Sequence, residues 1–308
     1  MNPLDLRVLE QSTVEDRFSK REVNRLIYKD LTSNPVVIEL YEEMKHVIRT
    51  HIANRHTFWD SKKERYRLLD KYNELQDVCT YILVGLLKTN GEVQEIHATV
   101  NYIATRLSGY KTIIDGVKTA SELLAITQVC NTHRLIEPDK SPTGVLSVQC
   151  AYKISIDTEQ LLADHMYLPP MLCQPNNIVT NACSGHINPE FESVILKQYN
   201  HHNGAQALDA LNIANDIAWC LDEEILQYEE KSKKELDTPQ KLHNFLLMKN
   251  ASKKVYKFLL NKGNRFFFSW RFDKRGRMYS KGYHCNLQST DYKKAILSFA
   301  NKEIIPME

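Results

Sequence analysis

Apolar residues recur at helical spacing through the first 125 positions, and then the period drops to two. A chain with that switch is neither a bundle throughout nor a sandwich throughout; it needs helices and a sheet in separate places. Helices are predicted over 14–31, 36–59, 60–88, 92–107 and 113–129. The first rests on Phe18, Val23, Leu26 and Ile27 after a Ser12/Thr13 cap, the second on Val37, Leu40, Met44, Val47 and Ile48 after Asn34-Pro35. Thr89-Asn90-Gly91 supplies a stop for the third. The basic stretch 49–67, with Trp59, reads as an exposed helix face. Leu146, Val148, Cys150, Tyr152, Ile154 and Ile156 alternate with polar or small residues, which predicts a half-buried strand. Turn chemistry at Pro138-Asp139 and Pro142-Thr143-Gly144 makes 131–136 its antiparallel mate. Residues 168–190 have no period and read as an irregular crossing segment; helix is predicted again over 205–233 and 238–260.

The longest uninterrupted apolar run, 81–87, is too short for a bilayer span, and residues 1–20 lack an apolar h-region. Seven cysteines, odd in number and never in C-x-x-C, suit a reducing compartment. A cytosolic protein without membrane contact is expected. The formal charge of +2 hides a segregation: 249–294 holds thirteen Lys/Arg against two acids, whereas 1–248 sums to −8. Charge gathered in this way predicts a polyanionic partner. Ten aromatics lie among those cations: Tyr256, Phe258, Phe266, Phe267, Phe268, Trp270, Phe272, Tyr279, Tyr283 and Tyr292. Cations for phosphates and rings for bases is the composition of a nucleic-acid groove. The plainer reading makes Phe266–Phe268 core and 253–262 a solvated helix face.

No Walker-type loop, H-E-x-x-H or G-x-S-x-G is present, and Cys173, Cys183, His186 and His165 match no compact zinc module. The one dense motif is Asp273-Lys274-Arg275-Gly276-Arg277-Met278-Tyr279. Gly276 lets a backbone come close to a ligand, two arginines flank it with forks suited to phosphate, and Asp273 is placed to hold a guanidinium.

Asp273-x-Arg275-Gly276-Arg277-x-Tyr279, then Asn286-x-Gln288, then Asp291-x-x-Lys294-x-x-Leu297-x-x-Ala300, resembles the T/D-x-x-G-R block of single-subunit phage and mitochondrial RNA polymerases. Upstream, Asn212-Ile213-Ala214, Ala218-Trp219 and Ile225-Leu226 look like the helix before that family's thumb. Pro169-Pro170 with 173–180 loosely resembles its proline-bearing segment, and 131–156 falls where it keeps an intercalating hairpin. The resemblance covers about 125–308 and implies a mainly α fold with a β-hairpin and a small β element. It divides the chain into a helical N-terminal domain (1–125), the hairpin and crossing segment (126–200), a helical thumb-like region (201–262) and the start of the palm (263–308). It also implies nucleic-acid-binding roles for Asp273, Arg275, Gly276, Arg277, Tyr279, Asn286, Gln288 and Lys294. The two arginines would meet backbone phosphates or sugars, Tyr279 would pack near the terminal base pairs, and Lys294, supported by Gln288 and Asn286, would touch the template strand.

Two departures qualify the likeness. The 54 positions from Trp219 to Asp273 imply a reduced thumb, and the sequence stops at Glu308, ahead of the family's metal-binding aspartates. Phages of the Enquatrovirus type split this polymerase into two polypeptides, and the chain looks like the smaller, N-terminal one. The expectation is a subunit of a phage DNA-directed RNA polymerase in the cytoplasm of an infected bacterial host, with no catalytic or metal-binding residue of its own. Its partners would be a larger catalytic subunit that binds Mg2+, the DNA template and the RNA–DNA hybrid. The alternatives are a stand-alone nucleic-acid-binding protein without polymerase activity and a fragment of a single-chain polymerase.

Overall fold

A computed structural model of the chain describes residues 3–53, 60–72, 75–87, 91–107, 109–110, 112–153, 155–188, 194–195 and 204–302. It is mainly helical with small antiparallel sheets, and among the described residues no helix is long and apolar enough to cross a membrane. Two compact units comprise Met1–Glu22 with Gln160–Glu308, and Val23–Glu159.

The helix expected at 14–31 is two, α1 (Pro3–Arg17) and α2 (Lys20–Leu31). The Ser19 hydroxyl accepts the Glu22 N–H at 3.2 Å, and this cap starts the second helix where the first would have continued. The unit Val23–Glu159 then runs through α3 (Pro35–Ala53), α4 (Asp60–Arg67), α5 (Gln76–Leu87), β1 (Val93–Glu95), α6 (Ile96–Ala104), α7 (Ile113–Thr127), β2 (His133–Ile136), β3 (Ser147–Cys150) and the start of α8 (Ile156–Asp164). Every residue of α5 from Val78 to Leu87 is buried; α3 and α6 pack on it, and α7 packs on both. At Gly85 an added Cβ would come within 3.1 Å of the Tyr102 ring, so glycine sets the α5–α6 approach.

The helix expected at 60–88 breaks at a 3₁₀ turn, Leu68–Lys71, and Leu75 takes φ 62°. α4 is charged and α5 is apolar all round, so one straight rod cannot serve both environments. The basic stretch 49–67 is not a purely solvated face either. Arg65 is buried, donating to Thr119 (3.0 Å) and Glu122 (3.0 Å), and the Tyr66 hydroxyl, 2.9 Å from His51 Nε2, donates to Glu122. Trp59 and the Thr89-Asn90 stop lie outside the described residues.

The expected hairpin forms, with His133 opposite Cys150 and Ile136 opposite Ser147. Its second strand is shorter than 146–156: the Ser155 hydroxyl accepts the Thr158 N–H (3.2 Å) and starts α8 instead, while Ile154 lies outside the described residues. A third strand, β1, pairs with the far edge of β3 at residues expected to be helical.

The other unit adds α9 (Leu208–Asn215), β4 (Ala218–Leu221), α10 (Pro239–Asn261), β5 (Phe266–Phe267), β6 (Trp270–Phe272), β7 (Met278–Ser280), α11 (Asp291–Ala295) and β8 (Leu297–Phe299). The helix expected over 205–233 therefore ends at Asn215, and the segment likened to a pre-thumb helix carries a strand in its middle. Asn215 is buried because its Oδ1 receives the Trp270 N–H (2.8 Å), and Asn212 bonds both backbone groups of Ile178. The apolar run 218–221 then serves as the central strand, antiparallel to β5 on one side and β8 on the other. α10 forms as expected, capped by Thr238 with Pro239 in its first turn. Its second half packs Val255, Tyr256 and Leu259 against Trp219, Phe266, Phe268, Cys285 and Ile296.

Segment 165–188 is irregular, as expected, and a buried carboxylate secures it. Glu15 accepts from Gln11 Nε2 (2.8 Å), His186 Nδ1 (3.2 Å), the Ile187 N–H (3.2 Å) and the Asn188 N–H, while Gln11 Oε1 receives the Leu172 N–H. Burial pushes the Glu15 pKa up, but these bonds outweigh it and hold the carboxyl below its ordinary value.

Burial depresses His186, His284 and His133 to about 4. Unfolded imidazoles titrate near ~6.5, so below that pH the unfolded chain binds protons that the native chain refuses. Stability is therefore whole above about 6.5 and falls as pH drops towards 4, where Glu15 begins to act in the same direction. Urea midpoints should be lower at pH 4.5 than at pH 7, and the difference should shrink in His284→Gln; a flat midpoint would show that these imidazoles are hydrated.

Candidate nucleic-acid interface

The D-x-x-G-R motif is the tip of the β6–β7 hairpin, where Phe272 pairs with Met278. The turn closes through Asp273 N–H to Arg277 O (2.9 Å) and Gly276 N–H to Asp273 O (3.0 Å). Gly276 has φ +78°, a left-handed conformation that strains an L side chain, and an added Cβ there would meet nothing within 4 Å. The glycine serves the turn, and the space beside it is open.

Asp273 organises the tip. Its Oδ1 accepts the backbone N–H groups of Arg275 (2.8 Å) and Arg277 (3.1 Å). Its Oδ2 accepts Arg275 Nε (3.2 Å) and Nη2 (3.0 Å) together with Arg277 Nε (2.9 Å). The sequence suggested one guanidinium held; both are. Partial desolvation pushes the Asp273 pKa up, but hydrogen bonds from the Arg277 backbone and side chain, reinforced by its charge, hold the carboxyl below its ordinary value. The same pairing raises Arg277. Both arginine side chains stay about half exposed or more, at 71% for Arg275 and 51% for Arg277, so their outer N–H groups face solvent in a set geometry. Tyr279, half-buried on β7, lies beneath the Arg277 guanidinium, 5.6 Å from ring centre to Cζ.

Asn286 and Gln288 have a different immediate task. The Ser280 N–H and hydroxyl donate to Gln288 Oε1 (3.2 and 2.9 Å), Asn286 Nδ2 donates to Gly282 O (2.7 Å), and Asn286 Oδ1 accepts the Gln288 N–H (2.7 Å). They lock the loop that follows the hairpin. Lys294 is exposed on α11, its ammonium 3.4 Å from Asp291.

Half of the ten aromatics of the basic segment are core: Tyr256, Phe266, Phe267, Phe268 and Phe272 are at most 7% exposed. Two of its cations turn inward as well, Arg271 at 8% and Lys293 at 3%, and burial pulls Arg271 down to about 10. Sequence reasoning missed the stacked pair Tyr167–Tyr283, for which the presence of Tyr283 in the basic segment was the one available signal. The resemblance implies Mg2+ on a partner. Among the described residues no three His, Cys, Asp or Glu side chains gather into a group fit for a metal, and the oxygens of Asp273 are spent on arginines and backbone. The tip does not fit magnesium.

If the tip binds phosphate through positioned forks, Asp273→Asn should weaken binding to an RNA–DNA hybrid several-fold although it removes a negative charge. Fluorescence anisotropy at fixed salt reads this, and tighter binding by the variant would mean that charge alone matters. No protein-family model and no curated protein matches the chain, so the geometry of this hairpin and the composition around it carry the functional reading.

Proposed function

We propose that the chain is the nucleic-acid-holding part of a single-subunit-type DNA-directed RNA polymerase, with magnesium-binding aspartates on a partner chain. The observation that carries this reading is the carboxylate at the hairpin tip. A basic patch that attracts nucleic acid by charge gains nothing from Asp273, which subtracts from the field. A carboxylate bridging two guanidinium groups makes sense where the angle of the forks matters more than their number.

Other features support the finer reading. The first half of α10 contains no fully buried residue, whereas its second half is anchored in the core, a division that suits a short thumb. Lys253 and Lys257 are exposed along that helix. The β2–β3 pair serves as the intercalating hairpin, and residues 263–308 as the first part of the palm. β8 is an edge strand with Phe299 56% exposed against Trp219, ring centres 4.7 Å apart, and a partner chain would cover that edge. Leu297, Phe299, Ile304 and Ile305 would be buried by that partner, and the two isoleucines lie outside the described residues.

Two measurements test the reading. Arg277→Lys keeps the charge and loses the fork, so hybrid affinity should fall about tenfold or more with the salt slope unchanged. Lys257→Ala should cost little and reduce the slope by about one. Equal, purely salt-dependent defects in both would reduce the tip to an ordinary basic patch. The purified chain should add no nucleotide to a primer in any divalent metal, and robust metal-dependent addition by it alone would defeat the division of labour.

A further inference from the structure

Tyr167 and Tyr283 lie face to face, ring centres 4.5 Å apart and planes 10° from parallel, whereas the other described ring pairs are tilted or edge-on. Tyr283 is held from behind. The Lys293 ammonium sits 3.5 Å from its ring centre, donates to the Tyr283 carbonyl (3.0 Å) and faces Glu230 at 4.0 Å. One ring face cannot take both neighbours at such range, so Lys293 and Tyr167 occupy opposite faces of Tyr283. His284 meets both tyrosines edge-on and is itself pinned by Ser252 Oγ (3.0 Å). The centres of Tyr167, Tyr283 and His284 form a triangle of 4.5, 5.4 and 6.2 Å, which puts His284 on the Tyr283 side of Tyr167. Tyr167 remains 38% exposed, its described ring contacts being Tyr283 and His284, with Met166 beside it in the chain at 47%.

We propose that Tyr167, backed by Tyr283, is a stacking platform for an unpaired nucleobase of a single strand. The proposal rests on the nucleic-acid reading above and adds to it a site away from the hairpin tip. A rigid ring with one free face offers stacking at little entropic cost, and any base has a face to give it. Bases within a duplex already use both faces, so the ligand is single-stranded. Cations for its phosphates are exposed on α10. Lys254, 58% exposed along its side chain, reaches Asp164, three residues before Tyr167, and Lys253 and Lys257 are exposed on the same helix. The loop carrying Tyr283 is the one that Asn286 and Gln288 lock onto the hairpin, so one loop ties platform and tip together.

Short DNA and RNA oligonucleotides carrying 2-aminopurine test this with the full chain, anisotropy reading total binding and fluorescence quenching reading stacking. The chain and Tyr167→Phe should both quench; Tyr167→Leu should lose the quench and bind about tenfold more weakly. Quenching confined to the DNA or to the RNA arm identifies the strand. Affinity for a blunt duplex should not depend on Tyr167. Binding and quenching by Tyr167→Leu equal to those of the unaltered chain would overturn the platform alone. Absence of binding to either oligonucleotide and to the RNA–DNA hybrid would overturn the platform and the nucleic-acid reading together.

Discussion

A four-residue strand that is apolar on both faces has to lie in the middle of something, and in this chain that strand is β4. Its three core members, Ala218, Trp219 and Leu221, are at most 8% exposed, with β5 and β8 paired on either side. Asn264, at φ 50°, completes the arrangement by giving its amide to both backbone groups of Leu221 (2.8 and 2.9 Å), so the end of α10 is tied to the strand. The residue that closes α9, Asn215, receives the first N–H of β6. The hairpin bearing the two arginines is thus aimed by hydrogen bonds from the elements that flank β4, and its apolar side is filled by Phe272 with Ile178, Val194, Ile195 and Leu211. A site on such a support keeps its geometry better than one on a free loop.

The electrostatic design differs from what a residue count suggests. Lys249 meets Glu229 (3.3 Å), Lys254 meets Asp164, Lys262 meets Glu10 (2.7 Å) and Lys293 faces Glu230, while Arg271 and Lys293 are turned inward. Much of the formal excess over 249–294 is answered by acids drawn from α1, α8 and the stretch after β4. The exposed pairs among these contribute little to stability, about 0–1 kcal/mol each, but they shape the field. What remains presented to solvent is concentrated on the hairpin tip and one side of α10.

Much of this was legible in the sequence and some of it was not, for identifiable reasons. Alternation over 146–150 and turn residues before it announced the β2–β3 pair, and the helix expected over 238–260 formed as α10, because both patterns are local. The mutual geometry of Asp273, Gly276 and Arg277 was readable because all the partners lie within five positions. β4 was not: a short apolar run fits a helix or a buried strand equally, and the decision came from Phe266, Phe267 and 297–299, far along the chain. The internal roles of Asn286 and Gln288 escaped for the opposite reason. Their partners are close in sequence, but a polar residue next to a binding motif looks the same whether it faces a ligand or its own loop.

The seven thiols carry a practical consequence. Cys79, Cys130 and Cys150 are buried in one unit, Cys173 and Cys285 in the other, and Cys183 and Cys220 are partly accessible. Burial raises Cys130 and Cys173 to about 11, while hydrogen bonds with Thr180 bring Cys183 down. An alkylating reagent at neutral pH therefore meets two populations, one that reacts from the native surface and one that must wait for its own unit to open. The chain carries an internal clock in each half, and the order in which the buried sulfurs acquire a label gives the order in which the halves come apart.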